Sequence, residues 1–151
     1  MDLETVITLL ENRYALKPEP GSDFETAKER TDDARRLEPL DSWLAGVYHI
    51  IGGLKHECLS METGELRIGF LYAAGKRYRD AAICFENIGD VMAAARSTLA
   101  AIDVLNKAIV NSKEENSGTV RRVKRLLDKQ VGSLRYMYEK HGPEELGYDR
   151  I

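Results

Sequence analysis

Residues 42–59, SWLAGVYHIIGGLKHECL, decide the fold. Trp43, Leu44, Val47, Tyr48, Ile51, Leu54 and Cys58 recur at spacings of three and four, which sets them on one face of an α-helix. The opposite side carries Ala45, Gly46, His49, Gly52, Gly53 and His56, with almost no charge. A helix that is apolar or small on every side is buried between neighbours. An interior glycine costs about 1 kcal/mol relative to alanine. Gly46 and Gly53, seven residues apart, share a face, and their retention predicts the close approach of another helix. Asp41 or Ser42 can cap the start of this helix.

The flanking sequence reads as helical too. All four prolines, Pro18, Pro20, Pro39 and Pro143, lie between or after periodic segments. Leu3, Val6, Ile7, Leu10 and Tyr14 predict a helix over 2–16, and a charged helix follows to about residue 37. Downstream, Leu66, Phe70 and Ala73 mark one short helix and Tyr78, Ala81, Ala82 and Phe85 a second. A longer one runs from Val91 to Ile109. Gly75 and Gly89 read as the breaks between them, and Asp90 as a cap. YAAGKRYRDAAICF (72–85) echoes ENIGDVMAAARSTL (86–99), with Gly75 against Gly89 and Phe85 against Leu99. After the polar stretch SKEENSG (112–118), the stripe Val120, Val123, Leu127, Val131, Leu134, Tyr138 predicts a last helix over 119–140, stopped by Gly142 and Pro143. No segment alternates as a strand would.

The 151 residues suit a single domain, and 43% hydrophobic with 31% charged residues excludes a disordered chain. No apolar run reaches the roughly 18 residues of a membrane helix, and the N-terminus lacks the basic start of a signal peptide. Two cysteines, Cys58 and Cys84, are too few for a disulfide scaffold, so a cytoplasmic location is expected. The net charge of −3 argues against a protein built as a whole for nucleic acid. The balance shifts along the chain: residues 107–151 hold ten bases and seven acids.

The stretch from Leu71 to Val110 resembles two helical families. Leu71, Gly75, Ala81 and Phe85 resemble the tetratricopeptide group of helical hairpins. Gly89, Asp90, Ala94, Ala95, Leu99, Ala100, Ala101 and Ala108 resemble the HEPN-type helical bundles, many of which bind or cut RNA. The second resemblance implies a catalytic pair of an arginine shortly before a histidine, and Arg135 with His141 fits that order. On a continuous helix these two would point about 240° apart.

Other candidate chemistry is weighed on spacing. Arg121, Arg122, Arg125 and Lys129 gather on the last helix, opposite its apolar stripe, where they could contact anionic groups. That face has no interleaved aromatic for base stacking. His49 and His56 are seven residues apart, about 10.5 Å along a helix, too far to share a zinc ion. Glu25, Glu29, Asp32 and Asp33 are interleaved with bases and read as a solvated face.

The expectation is an all-α domain over 1–151: one bundle of about six helices with short antiparallel hairpin helices in the middle. Residues 1–40 are expected at the periphery, and 142–151 as a flexible tail. The expected function is a non-enzymatic helical interaction module that binds a protein partner or forms a homodimer. A HEPN-like RNA-binding or RNA-cleaving domain is the alternative. No membrane association, metal or cofactor is expected.

Overall fold

The computed structural model describes Asp32, Arg35, Arg36, Glu38 and residues 41–62, 67–112 and 118–146. Among these residues there are four helices and no strand: α1 (Ser42–Glu62), α2 (Arg67–Asn87), α3 (Val91–Asn111) and α4 (Gly118–Glu145). The domain is all-α. The count of about six is corrected to four among the described residues; the helix expected over 2–16 lies outside them, and of the one expected to about residue 37 only Asp32, Arg35 and Arg36 are described, each helical.

The middle of the chain differs from its sequence reading for a packing reason. One helix of 21 residues stands where two short ones were expected, because α2 runs unbroken through Gly75, and α3 follows as the longer helix expected from Val91. A Cβ on Gly75 would fall 2.7 Å from Cδ2 of Leu105, so this glycine admits a leucine of α3 rather than ending a helix. Gly89 does end one. Its φ is +77°, its N–H donates to the Glu86 carbonyl at 3.0 Å, and the Asp90 N–H donates to the Phe85 carbonyl at 3.0 Å. This Schellman arrangement satisfies the last carbonyls of α2. The Asp90 carboxylate then accepts the Ala93 N–H at 3.1 Å and starts α3. Asp41 does the same for α1, accepting the Leu44 N–H at 3.0 Å.

The expected close approach at the α1 glycines occurs. Cε1 of Phe85 lies 3.0 Å from where a Cβ on Gly46 would sit, and Cε1 of Tyr78 lies 2.5 Å from the Cβ position on Gly53. Two aromatic side chains seven residues apart on α2 thus seat on two glycines seven apart on α1, an antiparallel register. Tyr78 and Phe85 are 2% and 0% exposed. Burying each contributes about 1.5–3 kcal/mol. The Tyr78 hydroxyl donates to the Glu57 carboxylate, which fixes the ring over Gly53.

α3 presents Ala94, Ala101 and Ala108, all fully buried, and small side chains at this spacing let helices close on it. α4 contributes Val123, Leu126 and Met137. Its buried stripe is rotated from the expected one: Gln130 is buried, whereas Val131 and Tyr138 are exposed. Gly142, with φ +79°, kinks the chain, and Leu146 beyond it is fully buried, inside the stretch expected as a tail. The helices pack in chain order, α1 on α2, α2 on α3 and α3 on α4, with a smaller contact between α2 and α4. No helix among the described residues is long and apolar enough to cross a membrane.

Candidate functional site

The contact between α2 and α4 opens into a groove of about 380 Å³. α4 lines it with Arg122, Arg125, Leu126 and Lys129, at the spacings of one helical face. α2 supplies Tyr72, Arg79, Asp80 and Ile83. Three of the four sequence-predicted cations therefore face the groove, and Arg121 does not line it. Arg79 joins them from a helix some forty residues earlier.

The charges in the groove are unequal. Asp80 is its one acid, and it is engaged: its carboxylate accepts from Arg79 at 2.9 Å and from the buried Arg77 at 3.2 Å. Arg122, Arg125 and Lys129 make no ion pair with a carboxylate among the described residues. Lys76 does not line the groove, but its ammonium lies 4.7 Å from the centre of the Tyr72 ring, which does. Burial, then the charges of Arg77 and Arg79, hold the Lys76 ammonium below its ordinary pKa. Leu126 is buried and Ile83 half exposed, so the lining combines apolar surface with a cationic rim. Such a groove attracts anions.

A second cluster lies where α1 and α2 meet the turn before α1. His49 is fully buried, and its Nε2 lies 2.6 Å from Oε1 of Glu38. Its Nδ1 is buried with no hydrogen-bond partner among the described residues. Burial lowers the imidazole pKa more than the Glu38 bond raises it, so neutral His49 donates from Nε2 and leaves Nδ1 a bare acceptor. Cys84 stands beside them, its thiol pushed up to about 12 by burial and then by Glu38 and Asp80. A cleft of about 170 Å³, lined by Glu38, Ser42, Asp80, Ile83, Cys84 and Asn87, opens onto the cluster. His56 stands apart from it, with Nδ1 2.7 Å from the Gly52 carbonyl oxygen and its ring near Phe70.

His141 lines a pocket with Glu86, Gly89, Val91, Tyr136, Met137 and Lys140, and Arg135 is absent from it. The Nδ1 of His141 lies 2.7 Å from a Glu145 carboxylate oxygen, a local contact across the Gly142 kink.

Sequence reasoning missed Arg79, Tyr72 and Ile83 because their role depends on which helix lies across from them. It missed Glu38 and Cys84 as neighbours of His49 for the same reason. Comparison with protein-family models, with curated proteins and with solved structures finds no match to this chain.

Proposed function

We propose that this chain is a non-enzymatic interaction module that holds an acidic segment of a partner protein in the groove between α2 and α4. The observation that carries this reading is the convergence of Arg79, Arg122, Arg125 and Lys129 around Ile83 and Leu126. Arginine forks pair with carboxylates in two-point geometry, and the apolar lining suits the hydrophobic side chains between them. A short acidic peptide fits this balance better than RNA. The whole chain carries −3, which opposes a long polyanion, and Tyr72 is the one aromatic in the groove where RNA would need successive stacking surfaces.

The test is fluorescence anisotropy with a labelled peptide of alternating glutamate and leucine, and with a single-stranded RNA of similar length. The peptide is expected to bind and to weaken as salt rises. Arg125→Glu should weaken it about tenfold, or about 1.4 kcal/mol, while Lys124→Glu, one residue away and outside the groove, should change it little. Preference for RNA over the peptide would move the assignment to the RNA-binding alternative. RNA cleavage that disappears in both Arg135→Ala and His141→Ala would overturn the non-enzymatic reading. Self-association is the second reading, supported by Val131 and Tyr138, 38% and 48% exposed on one edge of α4. Sedimentation velocity separates it, since a homodimer would run at twice 17.0 kDa.

A further inference from the structure

We propose that Glu38, His49 and Cys84 form a binding site for one zinc ion. The three residues offer a carboxylate oxygen, an imidazole nitrogen and a thiol sulfur that all lie within 4.8 Å of one another. They come from three separate points of the chain: the turn before α1, the middle of α1, and the last part of α2. Such a gathering arises only from the fold, and it brings together the three donor types that zinc uses. The thiol and imidazole select zinc over magnesium or calcium, which take oxygen donors.

The geometry needs little change. With zinc bonds of about 2.0–2.3 Å, donor atoms of a tetrahedral site stand about 3.3–3.8 Å apart. The carboxylate and imidazole are closer than that, 2.6 Å apart, because a proton bridges them where a cation would part them. The Glu38 side chain is 43% exposed and free to swing outward. His49 is fully buried and Cys84 nearly so, which holds two of the ligands on rigid helices. The charges also fit. Zinc displaces the thiol proton, and its two positive charges then meet one thiolate and one carboxylate. Arg77 and Arg79, the nearby cations, are both paired with Asp80. The cleft over Cys84 gives an ion a route in and leaves room for water as a fourth ligand. None of the three ligands lines the α2–α4 groove, although the cleft beside them shares Asp80 and Ile83 with it.

The experiment titrates cobalt(II), a spectroscopic stand-in for zinc, into the reduced, metal-free full chain. The expected result is thiolate-to-cobalt charge-transfer absorption that saturates at one ion per chain and is abolished by added zinc. Cys84→Ser should remove that absorption and Cys58→Ser should keep it. Glu38→Gln, whose side chain reaches solvent and whose loss leaves the core packed, should weaken zinc at least tenfold in competition with a chelating dye, about the smallest loss expected for a ligand. Absence of charge transfer in the wild type overturns the proposal. So does absorption that survives Cys84→Ser, or zinc affinity unchanged in Glu38→Gln.

Discussion

Placing one methyl group at two different glycines should move stability in opposite directions. Gly53 and Gly132 both sit inside helices, and alanine at either gains the same helix-propensity term, about 1 kcal/mol. Their surroundings differ. A Cβ on Gly132 would meet nothing within 4 Å, so Gly132→Ala should raise stability by about 0.5–1 kcal/mol. A Cβ on Gly53 would fall 2.5, 2.8 and 2.9 Å from Cε1, Cδ1 and Cζ of Tyr78. That ring cannot step aside, since it is 2% exposed and its hydroxyl is bound to Glu57. Overpacking of this kind costs about 1–3 kcal/mol or more. Three such contacts on one ring favour the upper end. After subtracting the propensity gain, Gly53→Ala should lose about 1–2 kcal/mol. The two variants should therefore differ by about 2–3 kcal/mol, or several degrees in melting temperature for a chain of this size. Urea unfolding followed by far-ultraviolet circular dichroism measures both. A Gly53→Ala protein as stable as Gly132→Ala would refute the close seating of Tyr78 on α1, and with it the register of the first two helices.

Gly89→Val should cost about 1–2 kcal/mol from backbone strain alone, because φ is +77° and nothing lies within 4 Å of the added Cβ. Gly89→Asn should recover most of that loss, and equal losses for the two in urea unfolding would remove the explanation. The second expectation concerns pH. Burial, followed by the charges of Arg77 and Lys76, holds the His56 imidazole below its ordinary value of 6.5. As pH falls through 6.5 the unfolded chain takes up a proton that the folded chain refuses, so stability is lost on the acid side and is flat above it. The slope from this group is at most about 1.4 kcal/mol per pH unit. Glu57 works in the opposite sense: burial raises its pKa, so protonation in the fold adds stability as pH falls through that raised value. Melting curves between pH 7.5 and pH 5.5 should show a shallower acid loss in His56→Gln than in the wild type, and an identical loss would rule out His56 as its source.

The helices were legible where local chemistry determines them. Asp41 and Asp90 cap their helices through their own carboxylates, and Gly89 takes the backbone angle that a helix end requires. The seven-residue spacing of Gly46 and Gly53 announced a close neighbour, although only the structure identifies Tyr78 and Phe85 as its knobs. Gly75 misled because a glycine that ends a helix and a glycine that admits a side chain look alike in sequence; Leu105, thirty residues on, makes the difference. The α4 stripe misled by about one residue. Gln130 and Val131 differ in hydropathy, yet the seating of α4 on α3 buries the first and exposes the second. Both candidate sites combine residues from separate helices. Periodicity reports the face a residue occupies and carries no information on what stands opposite, so half of the groove was visible and the Glu38–His49–Cys84 cluster was not.

Packing in chain order has a consequence for how the molecule assembles and comes apart. Each helix rests chiefly on the one before it, so most of the core joins segments only one hairpin apart. Closing short loops costs little chain entropy, and topologies dominated by such contacts fold fast. The α2–α3 hairpin, with its tight Ile88–Asp90 turn and the Gly75–Leu105 seat, has the parts of a starting nucleus onto which α1 and α4 add from either end. Unravelling can run the same way in reverse. α1 can peel from α2 while α3 and α4 keep their shared surface, so partial opening at the N-terminal side would expose Tyr78 and Phe85 and spare the helix that carries Arg122, Arg125 and Lys129.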